Sequence, residues 1–319
     1  MTVHDLVCGD VTIDYTDKSN TPDMVVRRSD GSYVFHFVNV VDDLEMKITH
    51  VIRGEDHLMN TPKHLQLIDA LGAVAPAYAH IPLIQNENGS KMSKRDLGAA
   101  VADYPAQGYL PAALVNFLAL LGWSSKTTEE IFSMEELVQR FSLEAVNRAP
   151  ARFDAEKCSW FNQQHIMKMS DADFSLACEP FVRAAELPVP ANFIEIAASI
   201  KEKVRLLTEV PSALAFLLVD DFSYEEETVA KVKSNAATAG LLDALVLHLK
   251  MISAWSAESA KEAVAAAATA NGAKAGQLMF PLRVALSGKH GGPDLAVILT
   301  ILGKDRVVER VEKFVKLLA

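Results

Sequence analysis

Strand-forming patterns stop at about residue 100 of this 319-residue chain, and the remainder follows the period of an α-helix. Before that point, short apolar and β-branched runs alternate with turn-forming residues, as in strands joined by turns. Beyond it, apolar residues recur every three to four positions, and caps and prolines mark the starts of segments. This division predicts a partial α/β unit followed by a long all-α region.

The first hundred residues contain the pattern of one strand–helix–strand unit. We predict strands at 33–41, 48–52 and 78–84, and the first is so continuously apolar that it suits a strand buried on both faces. Between the last two strands, Asn60 is placed to cap a helix with Pro62 in its first turn and Gly72 as its stop. A strand, a helix and a strand in that order form a parallel βαβ unit.

Helix boundaries in the rest of the chain are marked by prolines, caps and glycines. Pro111 begins an apolar helix that ends at Gly122, and Ser133 with Glu136 forms a capping box before the next. Asp154 is placed to cap a helix that runs past Trp160. Further helices are predicted at 194–207, 228–251, 257–270, 281–286, 293–302 and 305–318.

Composition is more informative about the cellular compartment of the protein than about its binding partner. Cys8, Cys158 and Cys178 are an odd number with no C-x-x-C pair, which fits a reducing compartment and argues against a cysteine zinc site. The first residues lack a signal-peptide pattern, and no apolar stretch is long enough to span a membrane. We therefore expect a cytoplasmic protein with no membrane partner. The net charge of −10 neither supports nor excludes binding to RNA, because phosphate contacts depend on local lysines and arginines.

The strongest local signal is the string Lys-Met-Ser-Lys-Arg at 91–95, which follows a predicted strand and a turn containing Gly89. Three cations at the carboxyl end of a strand suit a polyphosphate ligand, which binds at that edge of an open α/β sheet. The alternative is a solvated basic surface loop. A specified five-residue string arises by chance in a chain of this length about once in ten thousand sequences. The string therefore favours a phosphate-binding function.

Residues 91–95 resemble the KMSKS signature of class I aminoacyl-tRNA synthetases. Neighbouring strings narrow the resemblance to the bacterial-type glutamyl-tRNA synthetases, and it extends over essentially the whole chain. These strings lie at 40–43, 48–58, 60–62, 80–83, 109–111, 120–123, 153–154 and 281–286. The resemblance implies the second half of a Rossmann-type catalytic domain followed by a helical anticodon-binding region.

The same resemblance assigns a role to each part of the chain. It implies that residues 1–34 end the acceptor-binding insert and that 35–90 form the second half of the catalytic domain. Residues 91–170 would then hold the KMSKR loop and contact the tRNA stem, and 171–319 would form the anticodon-binding domain. The implied reaction activates L-glutamate with ATP and transfers it to the 3′ end of tRNA(Glu). We expect a monomer.

The resemblance also implies the site residues. Arg53, at a predicted strand end, would hold the substrate carboxylate through paired hydrogen bonds, and its alternative role is a salt bridge with Glu55 or Asp56. The implied glutamate-binding residues are Phe35, His36, Phe37, Val38, Asn39 and Arg53. The implied ATP-binding residues are Asp56, His57, Ile84, Lys91, Met92, Ser93, Lys94 and Arg95, of which Lys91, Lys94 and Arg95 would be catalytic.

No protein-bound metal is predicted. Asp42 and Asp43 directly follow the strand predicted at 33–41, and adjacent side chains on an extended chain point to opposite faces. We interpret both as structural, with Mg²⁺ held mainly by ATP.

Two departures from the family pattern affect the expected activity. Phe35 stands where the family usually has a tyrosine, whose hydroxyl contacts the amino acid. The family's His-Ile-Gly-His signature occurs nowhere in the 319 residues. We therefore expect that the first half of the nucleotide fold is missing and that this chain alone forms no glutamyl adenylate.

Two alternatives stay open. Glutaminyl-tRNA synthetases share the catalytic half but end in β-barrels, whereas residues 171–319 follow a helical pattern. The second alternative is a non-catalytic tRNA-binding protein, either a fragment of a longer product or one half of a split enzyme.

Overall fold

The computed structural model describes residues 1–17, 23–93 and 100–318. The chain divides into two compact units. The first unit comprises residues 1–104 and 111–161, and the second comprises residues 105–110 and 162–319. The first unit holds the sheet and the predicted site, and the second is helical, so the predicted α/β plus all-α class is confirmed.

A mixed four-stranded sheet forms the centre of the first unit. Its spatial order is β2-β1-β4-β3, with β1 antiparallel to β2 and parallel to β4, and β4 parallel to β3. The carboxyl ends of β1, β4 and β3 therefore lie at the same edge of the sheet. The strands are β1 (Thr2–Asp5), β2 (Gly9–Thr12), β3 (His50–Gly54) and β4 (Ala77–Ile81).

The predicted βαβ unit is confirmed as β3, α2 (Thr61–Ala70) and β4. Pro62 lies in the first turn of α2, and Gly72 follows the helix with a φ of 66°. Asn60 is the residue before the helix, but its side chain accepts no capping hydrogen bond. Instead, its amide nitrogen lies 3.2 Å from Nδ1 of His57.

The strand predicted at 33–41 is wrong, because Phe35–Glu45 is a helix, α1. The valines and phenylalanines of this segment have high strand propensity, which tertiary packing overrides. His36, Asn39 and Asp43 recur at helical spacing, and the helix packs on α2 through a contact between His36 and His64. Asp42 and Asp43 are thus about 100° apart around a helix axis rather than on opposite faces of a strand.

The remaining elements of the first unit follow their local signals closely. α3 covers Pro111–Gly122 as predicted, and the capping box of Ser133 and Glu136 begins α4 (Met134–Arg140). Asp154 accepts a hydrogen bond from the Lys157 backbone N–H at the start of α5 (Ala155–Lys168). A short parallel pair joins β5 (Ile84–Gln85) to β6 (Ala151–Arg152).

The second unit consists of helices; one predicted segment is divided, and another is shorter than predicted. The helix predicted at 228–251 is broken between Lys233 and Thr238, and the one predicted at 194–207 ends at Ala198. The last element is interrupted at Gly303, whose φ of 71° and ψ of 172° are not helical, so it consists of two helical segments, in agreement with the helices predicted at 293–302 and 305–318. The helices are α6 (Asp171–Ala184), α7 (Phe193–Ala198), α8 (Val210–Leu218), α9 (Glu226–Lys233), α10 (Thr238–Lys250), α11 (Ala257–Ala270), α12 (Gly276–Ser287) and α13 (Leu295–Leu318).

One buried arginine joins three segments of the second unit. Arg310, on α13, donates hydrogen bonds to the backbone carbonyls of Phe216, Leu286 and Val219 at 2.7–3.0 Å. It also donates to Asp220, and its guanidinium lies 4.6 Å from the ring centroid of Phe222. These bonds satisfy carbonyls at the ends of α8 and α12 that have no partner within their own helices.

Candidate functional site

Arg53 lies at the carboxyl end of β3, where the sequence predicts a substrate-binding cation. Its Nε–H donates to Nε2 of His80 at 3.0 Å, and Nη2 donates to Oγ1 of Thr61 at 2.8 Å and to the His57 carbonyl at 3.2 Å. Nη1 makes no hydrogen bond to any residue in 1–17, 23–93 or 100–318. The guanidinium is thus held at Nε and Nη2, and Nη1 is available to bind a ligand.

The alternative role of Arg53, a structural salt bridge, is not seen within the described ranges. Its side chain forms no ion pair there with Glu55 or Asp56; Asp56 pairs instead with Lys91. Burial lowers the pKa of Arg53, opposed by the neighbouring Tyr78 and Asp43. An arginine keeps its charge under such a shift, so this edge of the sheet carries a fixed cation.

Asp56 and Lys91 meet beside Arg53. Asp56 lies in a 3₁₀ turn, Glu55–Asn60, that directly follows β3, and its Oδ2 is 3.0 Å from Nζ of Lys91. The hydrogen bond from Lys91 lowers the pKa of Asp56. A Cβ atom on Gly54 would lie 2.7 Å from Oδ1 of Asp56, so glycine is needed for the carboxylate to fold back over the strand end.

The beginning of the KMSKR loop is fixed by backbone hydrogen bonds. Residues 86–90 form a tight turn in which Gly89 has a φ of 83°, a conformation that favours glycine. After the turn, Lys91 forms a bridge with Gln85, and the Met92 N–H donates to the carbonyl of Ile84 at 3.2 Å. Lys91 and Met92 are therefore tied to β5, and Ser93 follows them. The predicted residues Lys94 and Arg95 lie outside the described residues.

The predicted glutamate-binding residues 35–39 lie in the first turns of α1 rather than on a strand. Nδ1 of His36 is 3.0 Å from Nε2 of His64, and Phe37 stacks on Tyr33 with ring centroids 5.1 Å apart. Phe35 is 59% exposed, so it is accessible to a ligand. Burial lowers the pKa of His36, and the positive charges of Lys63 and then Arg53 lower it further. Contact of this segment with glutamate stays a prediction.

His64 is buried in a way that disfavours its charge. Its exposure is 1%, and burial lowers its pKa to about 4. Among the described residues, its Nδ1 atom has no hydrogen-bond partner. The contact with His36 is thus one between neutral rings near neutral pH.

Three buried polar residues behind Arg53 were not assigned to the site from sequence. His80 contacts Asp5 through Nδ1 and Oδ2 at 2.6 Å, and both side chains are fully buried. Burial would raise the pKa of Asp5, but hydrogen bonds led by that from the Cys8 backbone N–H lower it below its ordinary value. Thr61 lies 3.1 Å from Nε2 of His80 and completes the group. The sequence carries no local signal for this group, since Asp5 and His80 meet only through the parallel pairing of β1 with β4.

The described residues contain no group of three or more His, Cys, Asp or Glu side chains arranged to hold a metal ion. Cys8, Cys158 and Cys178 form no disulfide with one another, and burial raises the pKa of Cys178 to about 12. Within the part of the chain that the structure covers, no helix has the length and apolar character needed to cross a bilayer.

Comparisons with known families match both parts of the chain. Residues 1–160 match the family described as tRNA synthetases class I (E and Q), catalytic domain. Residues 162–315 match the anticodon binding domain. The boundary between the two matches falls within one residue of the boundary between Phe161 and Asn162 that separates the two units.

Curated relatives and solved structures agree with these matches. The chain is 52% identical to a glutamate–tRNA ligase of Akkermansia muciniphila over 98% of this chain and 72% of the relative. It is 42% identical to the ligase of Methylacidiphilum infernorum, covering 70% of that protein. A glutamate tRNA ligase of Elizabethkingia meningosepticum, solved in complex with its amino acid, has a TM-score of 0.88 and 32% identity, and the match covers 66% of its chain. The 319 residues thus span about two-thirds to three-quarters of the length of these proteins.

Proposed function

The chain belongs to the glutamate–tRNA ligase family of class I tRNA synthetases, and we propose that it contributes to the ATP-dependent attachment of L-glutamate to tRNA(Glu). The observation that carries this proposal is the arrangement at one edge of the sheet. Arg53, with Nη1 available, lies at the end of β3, and the first lysine of the KMSKR string pairs with Asp56 in the turn that follows. An amino acid and a polyphosphate require such neighbouring cations.

In the proposed reaction, the side chains bind and orient the reactants, and no protein nucleophile takes part. Arg53 holds a carboxylate of glutamate, while the α-carboxylate attacks the α-phosphorus of ATP and pyrophosphate leaves. Holding the two reactants in line supplies much of the rate enhancement. The 2′- or 3′-hydroxyl at the end of the tRNA then attacks the adenylate carbonyl and releases AMP.

Lys91, Lys94 and Arg95 neutralise the charge that develops on the leaving pyrophosphate. The ion pair between Lys91 and Asp56 is exposed on both sides, at 61% and 40% for the two side chains, and therefore weak. Lys91 can exchange this partner for a phosphate at small cost. We assign contacts with the nucleotide to Asp56, His57 and Ile84, and Mg²⁺ enters bound to ATP.

We assign anticodon binding to residues 171–319 and stem contacts to residues 91–170. We also infer a monomer in the cytoplasm. The glutaminyl alternative is disfavoured because the second unit is helical and matches an anticodon-binding family in place of β-barrels.

A second candidate function is binding of tRNA without catalysis by this chain alone. The observation that favours it is the absence of the His-Ile-Gly-His string from the 319 residues. Glutamate-dependent exchange of pyrophosphate into ATP, measured on the purified chain, separates the candidates. We expect background exchange, and exchange clearly above background would reject the second candidate.

Binding of tRNA tests the proposed function itself. We expect the folded chain to bind tRNA(Glu) in a low-salt titration, with an affinity that falls steeply as salt rises, because phosphate contacts release counterions. A tRNA with an unrelated anticodon serves as the control and should bind more weakly. A folded chain with no affinity for tRNA(Glu) at low salt would overturn the proposal.

A further inference from the structure

The buried pair of Asp5 and His80 has no part in the proposed chemistry, yet it lies directly behind Arg53. Oδ1 of Asp5 accepts hydrogen bonds from the backbone N–H groups of Val7, Cys8 and His80, at 2.9, 2.7 and 3.1 Å. Oδ2 is left for Nδ1 of His80. The carboxylate is therefore fixed in orientation, with one oxygen reserved for the imidazole.

The contact with Arg53 determines which imidazole nitrogen carries the proton. An arginine side chain only donates hydrogen bonds, and its Nε–H points at Nε2 of His80 over 3.0 Å. Nε2 must therefore be the acceptor, and the proton of a neutral imidazole must lie on Nδ1. That proton is donated to Asp5 at 2.6 Å. The opposite tautomer would place two N–H groups against each other.

We propose that Asp5 is a positioning residue for the substrate-binding arginine: through Oδ2 it keeps His80 in the Nδ1–H tautomer, so that Nε2 fixes Nε of Arg53 and leaves Nη1 for the substrate. Thr61 holds the other side of the same guanidinium at Nη2. The part concerning substrate rests on the proposed function of Arg53.

Replacing Asp5 with asparagine tests the mechanism with little change in shape. The three backbone N–H groups require an acceptor, so they select the amide oxygen and turn the amide nitrogen toward His80. Nδ1 must then accept, and the proton moves to Nε2, facing Arg53. An altered carboxylate partner acts in this way when it imposes the wrong tautomer on a histidine.

The same hairpin offers a matched control. Nδ1 of His4 is 2.7 Å from Oδ1 of Asp10, but these side chains are 79% and 70% exposed and neither hydrogen-bonds to Arg53. Asp10→Asn therefore repeats the substitution in an Asp–His pair that does not hold the arginine.

Nitrogen-15 NMR of the labelled 319-residue chain reads the tautomer directly. In the unmodified chain we expect a protonated Nδ1, an unprotonated Nε2 and a scalar coupling between Nε2 and Nε of Arg53. Asp5→Asn should reverse the protonation pattern and remove the coupling, and Asp10→Asn should change neither. A proton on Nε2 in the unmodified chain would overturn the inference even if Asp5→Asn fails to fold. Retention of the Nδ1–H tautomer in folded Asp5→Asn would also overturn it.

Titration with L-glutamate, followed on the Arg53 side-chain signal, tests the link to substrate. We expect a saturable shift in the unmodified chain and in Asp10→Asn, and an affinity roughly tenfold or more weaker in Asp5→Asn. Equal affinity in Asp5→Asn despite a reversed tautomer would overturn the positioning role. A tautomer as expected with no glutamate shift in the unmodified chain would instead count against the proposed function of Arg53.

Discussion

Buried carboxyl and imidazole side chains lie beside the sheet of the first unit, whereas the second unit is built around one apolar core whose members run from Ile166 to Phe314. Asp5, His64 and His80 have exposures of 6%, 1% and 0%. In the second unit, the buried charge of Arg310 joins helix ends to one another rather than supporting a candidate site. The comparison indicates that the first unit uses its interior to orient functional groups and that the second uses its interior for stability.

The largest expected effect comes from the apolar core of the second unit. Leu245 on α10 is fully buried, and Leu245→Ala should lower the free energy of unfolding of this unit by about 2–5 kcal/mol, because burial is lost and a cavity remains. Leu247 on the same helix is 63% exposed, and Leu247→Ala should change that free energy by less than about 0.5 kcal/mol. Urea unfolding followed by the fluorescence of Trp255, with Trp123 and Trp160 replaced by phenylalanine, measures both. Equal effects of the two substitutions would contradict the assignment of stability to this core.

The first unit should instead be sensitive to loss of a positioned charge. In an active ligase that contains this sequence, Lys94→Ala should lower the rate of glutamate activation by about a hundred- to thousand-fold, or 2.7–4 kcal/mol, with glutamate affinity nearly unchanged. Lys261→Ala on α11 is the control and should leave the rate unaltered. Single-turnover kinetics measure the activation rate. A change confined to the glutamate KM would mean that Lys94 stabilises the bound substrate and the transition state equally.

Elements with local signals could be predicted from sequence almost to the residue. α3 begins at Pro111, and α11 covers 257–270 as predicted, because prolines, caps and helical periodicity act within a few residues. The composition of α1 predicts a strand, and its packing on α2 selects the helix instead. Packing between distant segments is not encoded in a short window.

The site, like the fold, could be predicted only where the signal is local in sequence. Arg53, Asp56 and Lys91 follow from the family strings, and the structure brings the last two to 3.0 Å. The contact of Asp5 with His80 does not follow from these strings, since 75 residues separate the two and their contact depends on the pairing of β1 with β4. Residue types that are unremarkable alone become informative once the strand order is known.

The buried His64 should make the first unit sensitive to acid. Its pKa of about 4 lies below the ordinary value of 6.5, so the unfolded state takes up a proton between these values while the folded state does not. The free energy of unfolding should therefore fall by about 1–2 kcal/mol from pH 7 to pH 5. Urea unfolding followed by Trp123 fluorescence, with Trp160 and Trp255 replaced by phenylalanine, measures it. His64→Gln keeps a group that can hydrogen-bond to His36 but does not titrate; an equally large fall in that variant would assign the effect elsewhere.

The smallest expected effects concern the capping box that begins one helix in each unit. Oγ of Ser133 accepts the Glu136 backbone N–H at 3.2 Å in the first unit, and Oγ of Ser256 accepts that of Ser259 at 3.1 Å in the second. Both are completed capping boxes at helix starts. Replacing either serine with alanine should lower the free energy of unfolding of its own unit by about 1 kcal/mol, because one helix N–H loses its acceptor.

Variants that keep either Trp123 or Trp255 and have phenylalanine at the other two tryptophan positions report the two units separately, so both substitutions are measured in the same way. Similar losses would mean that helix ends contribute equally in both units and that the units differ only in what they bury. If Ser256→Ala costs several times more than Ser133→Ala, the stability of the second unit depends on this helix start more than on its apolar interior. The contrast between a site-forming and a stabilising interior would then have to be abandoned.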